Sequence, residues 1–249
     1  MKRVLSIFVL MLAGAAAASA QGFTFYFPQI AAGGGWRTTI FLTNATATDG
    51  ASGRISFGTS AAAPFNANWV DEMGNNVSGG GNVIEFQLGP GETRKYVTVG
   101  DMPLTVGYAM VTANASVLGT AMYSLLDGAG NIVTEAGVPM AIPLGKQAVF
   151  VDTTAGFRTG VAVANPNNNL LQIHFQLVND RGQVIPGGEV VRDLPPLQHF
   201  ALFVDEMFPG TPPMVGRLQF WCTNPMVAVA LRMSPTFQFT TMPPVAIAN

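Results

Sequence analysis

An eleven-residue pattern passes twice through this chain. Gly34-Gly35-Trp36-Arg37-Thr38-Thr39-Ile40-Phe41-Leu42-Thr43-Asn44 returns as Ala155-Gly156-Phe157-Arg158-Thr159-Gly160-Val161-Ala162-Val163-Ala164-Asn165, displaced by 121 positions (157 minus 36). The correspondence resumes late in each copy. Gly107-Tyr108-Ala109-Met110-Val111 matches Gly216-Arg217-Leu218-Gln219-Phe220, and Val117-Leu118-Gly119-Thr120-Ala121 matches Met226-Val227-Ala228-Val229-Ala230, both displaced by 109 (216 minus 107). A duplication of this length specifies two similar domains. The fall from 121 to 109 gives the first copy twelve extra residues in its middle, and Ser60 to Gly81, rich in Ala, Asn and Gly, is the place for them.

Both copies read as β-rich. Phe23, Phe25 and Phe27 alternate with Thr24 and Tyr26, and Ile84, Phe86 and Leu88 with Glu85 and Gln87. Leu171, Ile173, Phe175 and Leu177 alternate with Gln172, His174 and Gln176. Successive strand side chains point to opposite faces, so this period of two marks strands with one face buried. Asp71-Glu72-Met73-Gly74-Asn75, Asp127-Gly128-Ala129-Gly130-Asn131 and Asp180-Arg181-Gly182-Gln183 supply hairpin turns, since Asp bonds its own backbone and Gly accepts φ > 0. Pro90-Gly91 and Pro195-Pro196 punctuate equivalent places. Short strands with turns every 8–12 residues predict an all-β fold of two tandem immunoglobulin-like β-sandwich domains, without the Cys…Trp…Cys arrangement of antibody domains. The short, Pro-punctuated stretch from Pro139 to Lys146 places the boundary, giving domains over 21–142 and 143–249 that touch rather than swing.

Residues 1–20 read as a cleaved signal peptide: Lys2 and Arg3, an apolar run from Val4 to Leu12, and Ala18-Ser19-Ala20 before Gln21. No other stretch approaches the ~20 apolar residues of a spanning helix, so no transmembrane helix is expected. The protein is expected to be secreted, periplasmic or on the cell surface. Without Lys2 and Arg3, 10 basic residues (12 minus 2) face 14 acidic ones, a scattered and mildly acidic balance that argues against nucleic acid as a partner. Cys222, the sole cysteine, makes no internal disulfide, so the domains rest on packing.

Four phrases carry a resemblance: Phe27-Pro28-Gln29-Ile30-Ala31 ahead of the first Gly-Gly-Trp-Arg, then Glu135-Ala136-Gly137-Val138-Pro139, Val151-Asp152-Thr153-Thr154, and Phe203-Val204-Asp205-Glu206-Met207-Phe208-Pro209. Taken in order, they resemble a group of secreted immunoglobulin-like repeat proteins of soil bacteria, particularly acidobacteria, over nearly the whole mature chain. The resemblance implies an exported β-sandwich protein of the surface or extracellular space. It brings no activity, cofactor or site residue with it.

Residue chemistry points away from catalysis. The two histidines, His174 on a polar strand face and His199 at a strand start, stand with one cysteine in no His-x-x-x-His or Cys-x-x-Cys spacing. No Gly-x-Ser-x-Gly elbow occurs. The Asp-bearing turns lack the density of a calcium loop and read as plain hairpins. Neither metal nor cofactor is expected. Val70-Asp71-Glu72-Met73 and Val204-Asp205-Glu206-Met207 share letters but not repeat register, so their match reads as chance. Asn44-Ala45-Thr46, Asn76-Val77-Ser78 and Asn114-Ala115-Ser116 fit the glycosylation sequon.

The repeated aromatic-Arg step is the best candidate for more than a turn. Alternation puts Trp36 with Ile40 and Leu42, and Phe157 with Val161 and Val163, as core anchors, with the arginines facing away and Arg158 pairing a carboxylate such as Asp152. Trp36, Arg37, Trp69, Arg158 and Trp221 together form the candidate ligand surface. The expected function is a non-enzymatic structural or adhesive module at or outside the cell envelope, with an extracellular protein or polysaccharide as partner. The rivals are a carbohydrate-binding module, a hydrolase accessory domain and an outer-membrane barrel. The strand Phe23 to Phe27 is the first strand of its own sandwich or a donor to a neighbouring subunit's sheet.

Overall fold

A computed structural model describes residues 22–60, 64–77 and 82–247, so the expected signal peptide lies outside the described residues. The fold is all-β, built from antiparallel sheets packed face to face. Its first half runs β1 (Phe23–Ala32), β2 (Trp36–Asn44), β3 (Ala51–Thr59), β4 (Asn68–Val70), β5 (Val83–Leu88), β6 (Thr93–Val99), β7 (Thr105–Ala113), β8 (Val117–Leu126) and β9 (Ile132–Pro139). The second runs β10 (Leu144–Asp152), β11 (Arg158–Ala164), β12 (Leu171–Asn179), β13 (Val184–Leu194), β14 (His199–Phe203), the four-residue helix α1 (Val204–Met207), β15 (Val215–Met233), β16 (Phe239–Met242) and β17 (Val245–Ala246).

Each half pairs its strands in the same order. Sheet β1-β7-β3-β5 faces sheet β4-β6-β2-β8-β9. In the second half β10-β15-β12-β13 repeats the first of these, and β14-β11-β15-β16 the second. One 19-residue strand, β15, does the work of both β7 and β8 by passing from one sheet into the other. The immunoglobulin constant order is ABED over CFG. Here the central pairs β2–β6 and β3–β7 follow that scheme, whereas the first strand joins β7 and β8 joins β2. Only three residues separate β1 from β2, and Gly33, Gly34 and Gly35 all have positive φ. A Cβ on Gly33 would lie 2.4 Å from the Met102 carbonyl oxygen, so glycine is required where the chain arches between sheets.

Side chains reproduce the repeat in detail. The Thr38 hydroxyl accepts the Ala31 N–H at 3.0 Å and donates to the Ala31 carbonyl at 2.6 Å; Thr159 does the same with Asp152 at 3.0 and 3.1 Å. The buried Asn44 amide donates to the carbonyls of Asp49, Leu88 and Gly89, and Asn165 to those of Asn169, Leu194 and Pro195. These amides satisfy carbonyls that leave the sheet ladders at a loop, where an unpaired buried acceptor is costly. That role buries Asn44, although it heads a sequon.

Among the described residues one turn recurs at Asp71–Asn75, Asp127–Asn131, Asn179–Gln183 and Ser234–Gln238. In each, the side-chain oxygen of the first residue accepts the N–H groups two and four positions on. The anchor of the third is Asn179 and not the neighbouring Asp180. The fourth escapes a search for Asp and Gly because Phe237 holds the left-handed position, φ 62°, that Gly74, Gly130 and Gly182 hold elsewhere.

Two interiors result. One gathers Val149, Val163, Ile173, Phe175, Phe220 and their neighbours from the second half alone. The other is built from the first half, including Phe27, Ile40, Ile55 and Trp69, and takes Ala162 and Val229 from the second where the halves meet. The first half is longer between β3 and β5, where Ala51 and its partner Leu88 are 37 positions apart (88 minus 51) against 23 for Leu171 and Leu194 (194 minus 171). Of the expected segment Ser60 to Gly81, the described part holds β4 and the buried Phe65 and Trp69, and positions 61–63 and 78–81 lie outside the described residues. Between the halves, the outer face of β1 and β7 lies on the outer face of β11 and β15, with Tyr26 and Tyr108 against Ala164 and Val227. The connecting segment is pinned, since Tyr26 and Ala141 exchange backbone hydrogen bonds of 2.9 and 2.8 Å.

Candidate functional site

The five candidate residues do not form one surface: Trp36 and Arg37 adjoin, Arg158 contacts Phe203 and Glu206 of the cleft that Trp36 lines, and Trp69 and Trp221 lie elsewhere. Trp69 is fully buried and stacked on Phe57, centroids 4.8 Å apart, which removes it from any exposed platform. Trp36 is half-buried against Tyr123 and Phe239, at 5.4 and 6.0 Å, in a cleft between the halves. Arg37 is exposed beside the glycine arch.

Arg158 departs from the expected pairing. Its guanidinium meets Asp205 at 2.9 Å and Glu206 at 3.3 Å, and lies 3.7 Å over the Phe203 ring. The reason is α1, which begins directly after β14 and presents both carboxylates to β11. Asp152 is held instead by Arg232 Nε at 2.9 Å, while the Arg232 guanidinium covers the half-buried Phe157 ring at 3.4 Å. The Thr154 hydroxyl first, then its N–H and Arg232, keep the Asp152 carboxyl below its ordinary pKa. Phe157 is therefore a cation–π partner at the end of the sandwich rather than a core anchor.

Trp221 is half-buried. It stands on the outer face of β15, stacked on His174 of β12 with centroids 5.5 Å apart and planes 8° apart. Register aligns Val191, His174, Trp221 and Lys146 in one row across β13, β12, β15 and β10. The next row holds Glu189, Gln176, Gln219 and Ala148. Gln219 donates to Gln176, which donates to Glu189 at 2.6 Å, so an amide ladder runs beside the aromatic pair. Shallow grooves of about 660 and 590 Å³ flank Trp221 on either side. Alternation places His174 on a polar face; the stacking of Trp221 on it needs the register between β12 and β15, which sequence does not give.

The other reactive groups are committed to structure. His199 is fully buried; its Nε2 lies 2.8 Å from Gln29 Oε1 and its Nδ1 3.2 Å from the Ser60 hydroxyl. Burial drives its pKa down to about 3, so the ring stays neutral. Cys222 Sγ lies 2.8 Å from the Asn224 carbonyl, and burial raises its pKa to about 11. A thiol this hard to ionise is a poor nucleophile. The Asp71 and Asp127 carboxylates are taken up by their own turns. Among the described residues, no cluster of three or more His, Cys, Asp or Glu side chains could hold a metal ion, and no helix is long and apolar enough to cross a membrane.

Compared with known protein families, curated proteins and solved structures, the chain matches none.

Proposed function

We propose that this protein is a non-enzymatic adhesive or structural module, exported to the periplasm, cell surface or medium, built of two tandem immunoglobulin-like sandwiches. The signal-peptide pattern and the resemblance to secreted repeat proteins support export. The observation that carries the reading is the outer face of β10-β15-β12-β13, an open sheet face on which Trp221 stacks on His174 beside amide and charged side chains. Shallow grooves running along a sheet face on either side of an aromatic pair suit contact with an extended partner.

A polysaccharide is the second reading, favoured by one pairing of features. Pyranose C–H faces stack on an indole while planar amides such as Gln176 and Gln219 hydrogen-bond hydroxyls. Residues 21–249 should be screened against glycan and extracellular-protein panels, with Trp221→Ala alongside. Binding that falls at least ten-fold in the variant supports the face as the contact. Ligands held equally by both proteins would move the contact elsewhere, and silence on both panels would leave a purely structural role.

A further inference from the structure

The cleft between the halves is a different kind of place from the open sheet face. It is an open cleft of about 380 Å³, within the size range of small-molecule sites, which favour domain junctions. Trp36, Phe239 and Phe203 line it together with the small residues Gly160, Ala162 and Ala201. The positions equivalent to Gly160 and Ala162 in the first half are Thr39 and Phe41, displaced by the same 121 residues. Side chains of that size would fill the space, so the cleft depends on small residues particular to β11.

Gln29, Tyr123 and Glu206 bring polar atoms to this otherwise apolar lining. Gln29 is 92% buried (8% exposed) and contributes to the cleft wall. Its Oε1 accepts from His199 Nε2, the tautomer set when the Ser60 hydroxyl donates to Nδ1. Among the described residues, the Gln29 amide nitrogen has no hydrogen-bond partner. That N–H is not one of the buried unpartnered groups, so solvent reaches it, and a ligand acceptor in the cleft would take the place of water there. Glu206 at the rim is neutralised by Arg158, and no cationic side chain lines the cleft to receive an anion.

We propose that this cleft binds a small, neutral, largely apolar molecule bearing a carbonyl or equivalent acceptor, which takes the free N–H of Gln29. The aromatic rings hold the apolar body and the amide orients the acceptor. The site is independent of the sheet face around Trp221.

Prodan, a neutral naphthyl ketone whose emission reports both polarity and hydrogen bonding at its carbonyl, is the probe. Titrated into residues 21–249, it should bind saturably and draw energy transfer from Trp36. Ala201→Phe, a change at an exposed position that fills the cleft, should weaken binding at least ten-fold with the melting temperature unchanged. Gln29→Met should weaken it about five-fold and shift the bound emission to the blue. Trp221→Ala should leave it unaltered. Absence of saturable binding to the folded protein, or equal binding by Ala201→Phe, overturns the proposal. A Gln29→Met protein that fails to fold leaves the Ala201→Phe result to decide it.

Discussion

The two halves present equivalent sheet faces that have opposite fates. The outer face of β1 and β7 is covered by the second half, while that of their counterparts β10 and β15 is open. Their ladders match pair for pair, so hydrogen bonding does not decide which face is covered. Outward side chains decide it. Tyr108, Met110 and Thr112 on β7 become Arg217, Gln219 and Trp221 on β15, each displaced by 109. On the receiving side, Thr39, Phe41 and Thr43 of β2 become Gly160, Ala162 and Ala164 of β11. Small residues there let a second sheet come close, and Tyr26 and Tyr108 fill the gap with apolar area. A charged, amide-rich face meeting a threonine- and Phe-studded one has no such fit. The same substitutions therefore join the halves once and disfavour a further copy stacking end to end.

Exchanging side chains between the faces should break this comparison most sharply. Tyr108→Arg installs the second half's residue in the covered face, where a buried unpaired charge costs about 3–5 kcal/mol. Denaturant unfolding should lose that much, or split into two transitions as the halves part. Arg217→Tyr on the open face should stay within about 0.5 kcal/mol.

Mild acid should act first at the junction, through His199. His199 has Thr93 as its first-half equivalent and sits at the junction through Gln29. The unfolded chain binds a proton near the ordinary histidine value of 6.5, the folded one only near 3. Stability is thus complete above pH 6.5 and declines by about 1.4 kcal/mol for each unit below it. The carboxylates with lowered pKa values, Asp71, Glu92, Asp127 and Asp152, lose their contribution only as pH falls through the ordinary carboxylate range near 4 and below. Melting curves between pH 6.5 and 4.5 should show the slope, and His199→Gln should flatten it. An unchanged slope in that variant would place the titration elsewhere.

The shared scaffold should respond alike in both halves. Asn44→Ala and Asn165→Ala each strand three carbonyls, for a loss of about 2–3 kcal/mol apiece. Unequal losses in urea titrations would mean the repeat is geometric but not energetic.

Smallest are the backbone effects. Ala155, Leu197 and Phe237, with φ of 49°, 55° and 62°, occupy the places of Gly34, Gly91 and Gly130. Gly130→Ala should cost about 1 kcal/mol, because a Cβ disfavours the left-handed region. Phe237→Gly should gain at most about 1 kcal/mol, since relief of strain is offset by a freer unfolded chain. Thermal melts resolve both changes.

Much of the scaffold was legible before any coordinates. The inward sets of β5 and β12 follow from alternation, the Asp turns from their own side-chain chemistry, and the insertion from the change in repeat offset. The turn at Ser234 was hidden because Phe237 replaces the glycine that signals it. Sequence offers Arg158 a nearby carboxylate such as Asp152, whereas its partners on α1 lie 47 and 48 positions away (205 and 206 minus 158).

Trp36, Trp69 and Trp221 mark the division between the two kinds of information. One residue type lines a cleft, fills a core and stands on an open sheet, and nothing within a few residues of each distinguishes these outcomes. Sequence determined the strands, the turns and the doubling, because side-chain alternation and turn hydrogen bonds act between near neighbours. Tertiary structure alone decided which sheet faces meet, because that choice pits distant surfaces against one another and is settled by their size, polarity and charge together.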